Sequence, residues 1–201
     1  MAVNLNKNRM MMSRILVAAA LAAGFLTAPV IVDGTALGGL MKLAGFVLLT
    51  ACAIGRIYST AFIGGVKNKE LMTAGPYAAH RNPLYFYSLL GAAGVGLMSL
   101  QVTTFAVLFC GFLILYVGLI DREEKFLAEK FGEEFARYKA RVPRLLPDFK
   151  KYTAPAEMLF QPKYLAKAVA DAVWWFAPVP LFEFARYLQE TGVIEALMVV
   201  P

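Results

Sequence analysis

The sequence predicts an all-α, polytopic integral membrane helical bundle, and three observations lead to this fold class. Hydrophobic residues make up 59% of the 201 residues, and the mean hydropathy is positive, unlike that of a typical soluble domain. The apolar residues lie in runs of about 18 or more with few charges, which is the length that crosses a bilayer. These runs lack the alternation of barrel strands, so helices are expected to satisfy the backbone inside lipid.

Four runs meet this length, and each predicts a transmembrane helix. They cover residues 15–32, 36–58, 83–100 and 102–120. Short polar breaks at residues 33–35 and 101–104 predict two tight hairpins. The first run follows a basic start, as in a signal peptide, but it continues past Pro29 into another span, which predicts an uncleaved helix.

Small residues are concentrated in the third span, which contains Gly91, Ala92, Gly94 and Gly96. Ala92 and Gly96 have the spacing that lets two helix backbones approach closely. Two interpretations remain open. The small residues either permit close helix packing or form a face against which a cofactor lies.

The distribution of Lys and Arg predicts the orientation. Basic residues occupy the N-terminus (Lys7, Arg9 and Arg14), the loop before the third span and the segment after the fourth, whereas the two hairpin loops contain none. The positive-inside rule places these three segments in the cytoplasm. We therefore expect a multi-pass protein of a prokaryotic inner membrane. The net charge of +6 flanks spans and forms no separate basic domain, so no nucleic-acid partner is expected.

The C-terminal region is polar over residues 148–163 and apolar over 164–186, with interruptions that include Lys167, Asp171 and Pro178. Its uninterrupted core is too short to span alone, and Trp174 and Trp175 suit a membrane interface. A re-entrant or interfacial helix is favoured over a fifth span, and both remain open. The chain is thus divided into a bundle (1–120, with a cytoplasmic loop at 59–83), a cytoplasmic helical segment (121–147) and a membrane-associated extension (148–201).

The sequence contains no cluster of metal ligands. It has one histidine, and its two cysteines, Cys52 and Cys110, lie within apolar spans. Both cysteines are expected to pack as small hydrophobic residues, without a disulfide.

A first polar segment, residues 69–85, leads directly into the third span. Gly75-Pro76 indicates a turn, Pro83 suits the first turn of the next helix, and Asn82 suits its N-cap. Taken singly, each of these residues has a structural explanation. The combination of Gly75-Pro76-Tyr77 with residues 81–85 (Arg-Asn-Pro-Leu-Tyr) is more than a helix start requires.

A second polar segment, residues 121–144, begins where the fourth span leaves the membrane. Asp121 and Glu124 have the spacing of a capping box, which predicts a new helix start. Apolar residues then recur at helical spacing, at positions 127, 131, 135, 138 and 142, so one face of the helix is apolar. The helix could simply lie on the membrane surface, but Glu123 and Glu124 at the mouth of an apolar bundle indicate a cationic partner.

These segments resemble the isoprenylcysteine carboxyl methyltransferase family, which is related to the membrane phospholipid N-methyltransferases. The resemblance covers residues 69–147 and includes the two motifs of the first segment, the Glu123-Glu124 pair, and the Phe-Gly-Glu-Glu run that leads to Val142-Pro143. It implies a membrane enzyme that uses S-adenosyl-L-methionine and methylates a lipid or lipid-modified acceptor from the cytoplasmic side.

The resemblance also implies site residues. Those that bind the cofactor are Lys69, Glu70, Leu71, Met72, Tyr77, Asn82, Pro83, Leu84, Tyr85 and Glu123, and those that act in the reaction are Arg81 and Glu124. Carboxylates and aromatic faces suit a cofactor that carries a sulfonium and an ammonium group. No metal is implied.

The chain departs from the family pattern at two positions. Asn82 stands where many members have histidine, which leaves hydrogen bonding but removes a titrating imidazole. Leu119 stands where the eukaryotic enzymes share an arginine linked to the substrate carboxylate, so a prenylcysteine substrate is not implied.

Two acceptor classes remain open. A carboxylate or phosphate oxygen needs no base, whereas a phospholipid headgroup amine must lose a proton, which Glu124 or His80 could take. A non-enzymatic scaffold or transporter subunit is the competing class. It predicts polar residues in mid-membrane, and the four spans contain almost none.

Overall fold

The computed structural model describes residues 2–67, 69–158 and 160–200, and these residues are mostly helical, with very few in strands. The elements in chain order are α1 (Ala2–Leu26), β1 (Thr27–Pro29), α2 (Ala36–Ile63), α3 (Pro76–Ala79), α4 (Pro83–Met98), α5 (Val102–Arg141), a 3-10 turn (Phe149–Lys151), α6 (Pro162–Val173), α7 (Pro178–Glu190) and β2 (Met198–Val200). The side chains of residues 2–10 lie outside this description, and with them the predicted basic flank at Lys7 and Arg9.

A membrane helical bundle fits the structure, but the four predicted spans are not confirmed. Three stretches of the described chain are long and apolar enough to cross a membrane: Ala36–Ile63, Val102–Arg141 and Pro162–Glu190. The other two apolar helices, Met11–Leu26 and Pro83–Met98, are shorter. The first predicted span is shorter than expected, because α1 ends at Leu26. Pro29 follows closely, and a proline disfavours the helical conformation of the residue before it.

The C-terminal region, for which the sequence favours a re-entrant or interfacial helix over a fifth span, is helical with one interruption. It forms two helices, α6 and α7, with a turn at residues 174–177 between them. The break falls where Pro178 begins α7, because proline is tolerated only in the first turn of a helix. By length and composition the two helices together could cross a membrane.

The chain divides into two compact units. The first contains residues 2–50, 89–115 and 174–200, and in it α1 packs against α7. The strands β1 and β2 pair in parallel, with Thr27 opposite Met198. No sequence pattern indicated these short strands. The side-chain amide of Gln101 also donates to the carbonyl of Thr27 at 2.8 Å.

An ion-pair network closes the turn after β1. Lys42 Nζ lies 2.5 Å from Asp33 Oδ2 and 3.1 Å from Glu183 Oε1, and Arg186 Nη2 lies 2.6 Å from Glu183 Oε1. The hydrogen bond from Lys42 lowers the pKa of Asp33. These pairs connect α7 to the N-terminal part of α2. They also explain why a charged residue, Lys42, is found in an otherwise apolar helix.

The glycines of α4 serve close packing, which supports the first of the two interpretations above. A Cβ added to Gly94 would lie 2.8 Å from the carbonyl oxygen of Gly45 and 3.0 Å from the amide of Leu49. A Cβ at Gly96 would lie 2.5 Å from the Cα of Phe105. The backbone of α4 therefore touches those of α2 and α5 directly, and Gly94 has no free space beside it for a cofactor.

The second unit contains Ala51–Ser88 and Tyr116–Val173. Within it α5 continues without a break past Asp121, so the predicted helix start there is wrong. No helix-breaking residue separates the apolar run from the charged one. The side chain of Asp121 instead pairs with Arg144.

The interruption of α5 comes at Gly132, whose φ of 51° and ψ of −122° are not helical. Positive φ is open to glycine at little steric cost. After this kink, the apolar face forms a buried cluster of Phe135, Tyr138 and Val142, with Leu127 and Phe131 packed against it. The face therefore packs within the unit instead of lying on a membrane surface.

Candidate functional site

The loop between α2 and α4 is held in place by backbone hydrogen bonds to the segment after α5. The amide of Gly75 donates to Thr153 O at 2.6 Å, and that of Arg81 donates to Pro143 O at 2.9 Å. In the opposite direction, the amide of Asp148 donates to Ala79 O at 2.9 Å. These bonds fix the first predicted segment against the second.

Gly75 makes the turn that starts this loop's short helix. Its φ is +60°, and a Cβ at this position would collide with the ring of Phe62. Pro76 then begins α3, and all four residues of α3 are buried. The predicted turn at Gly75-Pro76 is therefore confirmed, and it buries Tyr77.

Arg81 and Glu124 form a bidentate ion pair at the centre of the site. The Nε–Oε1 distance is 2.9 Å and the Nη2–Oε2 distance is 3.3 Å. The exposed fractions of the two side chains are 9% and 11%, so little solvent screens the pair. Arg81 Nη1 also donates to the carbonyls of Lys139 at 3.1 Å and Val142 at 2.6 Å. Arg81 thus connects the loop to both halves of α5.

Asn82 joins the same carboxylate from the position before α4. Its Nδ2 donates to Glu124 Oε1 at 3.3 Å and to the carbonyl of Arg144 at 3.0 Å. The predicted helix start at Pro83 is confirmed. The side-chain amide of Asn82 makes these two long-range hydrogen bonds. A residue that served only as a helix N-cap would not need them.

Glu123 faces a different set of partners from Glu124, because successive helix residues point about 100° apart. The hydroxyl of Tyr85 donates to Glu123 Oε2 at 3.0 Å, and Lys67 Nζ lies 3.1 Å from Glu123 Oε1. The Glu123 side chain is 26% exposed. The motif residues Tyr85 and Glu123 are therefore in direct contact.

Tyr77 presents a buried hydroxyl with no hydrogen-bond partner among the described residues. Burial raises the pKa of Tyr77 well above its usual range, and the negative charge of Glu123 adds to this rise. The phenol is therefore protonated and available as a donor. Buried polar groups normally have a partner, and one without a partner requires an explanation, such as a functional role or a bound water or ion.

His80, the histidine that could take a proton from an acceptor, is held as a structural group. Its Nδ1 lies 2.7 Å from the carbonyl oxygen of Leu145, so Nδ1 carries the proton and donates. Only 1% of the residue is exposed, and burial lowers its pKa. A neutral, buried imidazole that faces a carbonyl is poorly placed to collect a proton from an acceptor.

The stretch before Gly75 is less involved in this cluster. The side chains of Lys69 and Glu70 are exposed, and their amides donate to Val66 O. Leu71 packs against the buried cluster of Phe135, Tyr138 and Val142, and Met72 is half-buried. Pro83 is buried at the start of α4, and Leu84 supplies a carbonyl that accepts from Ser88 Oγ at 2.7 Å.

A cleft of about 400 Å³ opens between the two halves of α5. Its lining includes Glu124, Gly132 and Lys139, but it does not include Tyr77, Tyr85 or Glu123. The cleft therefore lies on the Glu124 side of the helix. The unpartnered hydroxyl of Tyr77 and the half-buried carboxylate of Glu123 do not line this cleft, and the candidate site is assigned to these groups on the basis of their chemistry.

Three kinds of partner in the site were not predicted from the sequence. Lys67 stood out only as one charge of a basic loop, and the carbonyls of residues 139, 142 and 144 carry no side-chain signal. Tyr138 was expected on an apolar face, and its hydroxyl donates to Tyr77 O at 2.7 Å. The polar end of Tyr138 was the one available signal, since a buried tyrosine hydroxyl usually has a partner.

Comparisons with known proteins identify the family to which the chain belongs. A family model described as phospholipid methyltransferase matches residues 34–134, which include Arg81, Asn82, Tyr85 and the Glu123-Glu124 pair. The chain belongs to the phospholipid methyltransferase family. This family is part of the isoprenylcysteine carboxyl methyltransferase-like group of membrane methyltransferases, so the resemblance read from the sequence is confirmed.

Two curated relatives of this methyltransferase family member cover most of its length. The cobalt-zinc-cadmium resistance protein CzcN of Cupriavidus metallidurans is 32% identical over 166 residues, which are 83% of this chain and 76% of CzcN. The nickel-cobalt-cadmium resistance protein NccN of Alcaligenes xylosoxydans xylosoxydans is 30% identical over 158 residues, 77% of this chain and 74% of NccN. No solved structure shows significant similarity. Within the described residues, no group of three or more His, Cys, Asp and Glu side chains could hold a metal ion.

Proposed function

We propose that this chain is an integral membrane methyltransferase that uses S-adenosyl-L-methionine and acts on a lipid or lipid-like acceptor. The observation that carries the proposal is the hydrogen bond from the Tyr85 hydroxyl to the half-buried carboxylate of Glu123. It is joined by the buried, unpartnered hydroxyl of Tyr77, whose pKa the charge of Glu123 raises further. Membership of the phospholipid methyltransferase family supports the reaction class.

The residues present fit the cofactor chemically. Glu123 is a half-buried carboxylate, which is a suitable partner for an ammonium or sulfonium group, and the cation that pairs with it in this structure is Lys67. The aromatic rings of Tyr77 and Tyr85 also attract cations. The buried hydroxyl of Tyr77 can donate to an acceptor atom of a ligand.

The cofactor supplies an electrophilic methyl group, and the chain must hold the acceptor in line with that group and exclude water. Glu123, Tyr85 and Tyr77 are proposed to bind the cofactor. Arg81 and Glu124 were predicted to act in the reaction, and their geometry supports a positioning role. Both Glu124 oxygens accept hydrogen bonds from Arg81, so this carboxylate is poorly placed to remove a proton.

The acceptor is proposed to be a lipid whose reacting group needs no strong base. With Glu124 engaged and His80 donating to a carbonyl, the described part of the site offers neither of the two expected bases in a free state. A carboxylate or phosphate oxygen therefore fits better than a protonated amine. The alternative is N-methylation of a phospholipid headgroup, which the description of the family favours.

The site is proposed to face the cytoplasm of a prokaryotic inner membrane. The basic loop at residues 56–81 and the basic segment after residue 121 both belong to the unit that contains the site. The positive-inside rule applies to both segments.

A labelled-methyl assay tests the proposed function. Membranes with the wild-type chain, or with Glu123→Gln, are given S-adenosyl-L-methionine labelled in its methyl group, and the lipid extract is analysed. We expect label in a lipid fraction with the wild type and at least tenfold less with Glu123→Gln. Base-labile label indicates a methyl ester, and base-stable label on a headgroup indicates N-methylation. No label above that of membranes without the chain would contradict the proposal.

A further inference from the structure

We propose that Lys67 and Glu123 together bind the amino-acid end of the cofactor, with Lys67 taking its carboxylate and Glu123 its ammonium. The inference rests on the proposed function and adds a binding residue, Lys67, that lies outside the motifs. It is carried by the ion pair between Lys67 Nζ and Glu123 Oε1, which is 3.1 Å long.

The pair has the charges that an α-amino acid zwitterion requires. Such a ligand presents one ammonium and one carboxylate a few bonds apart, so its receptor needs one anion and one cation side by side. In the absence of that ligand, the two receptor groups are expected to neutralise each other. The Lys67–Glu123 contact is that state, since Lys67 pairs with Glu123 as the ammonium of the ligand would, and Glu123 pairs with Lys67 as the carboxylate of the ligand would.

The two side chains differ in exposure and in how they are held, which permits the exchange. Glu123 is held on α5 by the hydroxyl of Tyr85 at 3.0 Å and is 26% exposed. Lys67 is 45% exposed and sits in the turn after α2, where its amide donates to Ile63 O. An exposed ion pair contributes little to stability, so the lysine can leave the carboxylate at small cost while Glu123 stays in place.

The turn that presents Lys67 is itself well defined. Gly65 has a φ of +92°, and a Cβ there would lie 2.6 Å from the side-chain nitrogen of Gln161. A Cβ at Gly64 would lie 2.8 Å from the Cβ of Tyr164. The start of α6 therefore packs on this turn, and it keeps the base of Lys67 near Glu123 while the side chain moves.

Titration calorimetry with two nucleosides tests this assignment. S-adenosylhomocysteine carries the amino-acid end, and 5′-methylthioadenosine lacks it. Each is titrated into the full-length, detergent-purified wild type, Lys67→Met, Lys67→Arg and the control Lys150→Met. Lys150 is an exposed lysine of the same unit, so its substitution removes the same charge.

We expect Lys67→Met to weaken S-adenosylhomocysteine binding about tenfold, as for the loss of one charge-assisted hydrogen bond, and to leave 5′-methylthioadenosine binding unchanged. Lys67→Arg should retain most of the affinity, and Lys150→Met should match the wild type. An equal loss for both nucleosides would assign Lys67 a purely structural role and overturn the inference. Unchanged binding of both would also overturn it while the proposed function stands. A wild type that binds neither nucleoside would remove the proposed function itself.

Discussion

Some polar side chains of the site have hydrogen-bond partners, and others have none among the described residues. Glu124 accepts from Arg81 and Asn82, and Arg81 donates to two carbonyls as well. A buried pair of this kind is costly to break, because a lone buried charge would remain. In contrast, Tyr77 has a hydroxyl without a partner among the described residues. The first group holds the site together, and the second is available to a ligand.

The hydroxyl of Tyr77 provides a test that separates binding from folding. Tyr77→Phe removes a buried donor that has no partner within the described chain, so the thermal unfolding midpoint of the ligand-free protein should stay the same or rise. The affinity for S-adenosylhomocysteine should fall by about fivefold or more, as for the loss of one hydrogen bond. Calorimetry and thermal unfolding on one preparation measure both.

The matched control is Tyr138→Phe, which removes a hydroxyl that donates to Tyr77 O. Stability should fall by about 1 kcal/mol in this variant. If Tyr77→Phe lost stability as Tyr138→Phe does, and kept its full affinity, the Tyr77 hydroxyl would have a structural partner and no ligand role.

His80 gives a pH dependence of stability with a defined sign. Burial lowers the pKa of His80 from 6.5, so as the pH falls the unfolded chain takes up the proton before the folded chain does. The contribution of the neutral His80 to folding stability is therefore fully present above pH 6.5, and it is lost as the pH falls towards the folded-state pKa of His80. The thermal unfolding midpoint should drop as the pH falls below 6.5 in the wild type, and it should drop less in His80→Asn. Equal slopes in the two proteins would contradict this account.

At the scale of elements, α5 shows where sequence patterns succeed and where they fail. The apolar periodicity of residues 127–142 predicted the face that forms the buried cluster. The capping-box spacing at Asp121 predicted a start that does not exist, because nothing before it ends the helix. The kink comes at Gly132, whose positive φ is open to glycine at little steric cost, and an isolated glycine in a helical pattern does not by itself reveal such a kink.

Close helix packing at Gly94 predicts a large effect of one methyl group. In Gly94→Ala the new Cβ would lie 2.8 Å from Gly45 O, so α2 and α4 must separate. We expect a loss of about 1–3 kcal/mol, as for overpacking elsewhere. The control is Gly39→Ala in α2, where nothing lies within 4 Å of the new Cβ, and alanine there should be neutral or stabilising. Thermal unfolding in detergent measures both, and equal midpoints for the two variants would contradict the packing.

For the whole molecule, the sequence predicted the helical class and the order of the motifs, because apolar runs and turn residues are local signals. It also placed residues 81–85 and Glu123-Glu124 on elements that the structure brings into contact. It did not predict the β1–β2 pair or the carbonyl partners of Arg81. These depend on which distant backbones meet, and side-chain patterns carry little information about that.

The orientation of the chain stays a prediction that labelling can test. Single cysteines at Gly34 and Thr103 should react with a membrane-impermeant reagent added outside cells, because both positions are exposed. Gly34 lies in the turn before α2 and Thr103 in the first turn of α5, and the polar breaks that contain them have no Lys or Arg. A cysteine at Lys130, which is also exposed, should react only after permeabilisation. The two native cysteines are replaced in all three variants. External labelling at position 130 would contradict the orientation.

The central claim is that Glu123 forms part of a binding site for S-adenosyl-L-methionine, and the most direct test is titration of S-adenosylhomocysteine into the purified wild type, Glu123→Gln and Glu133→Gln. Glu133 is the matched control, because its side chain is 95% exposed and its pairing with Arg137 is local. The account predicts saturable binding to the wild type and to Glu133→Gln, and an affinity at least tenfold lower for Glu123→Gln, as for the loss of a charge-assisted bond. Equal affinities in all three proteins, or no binding to the wild type, would contradict it.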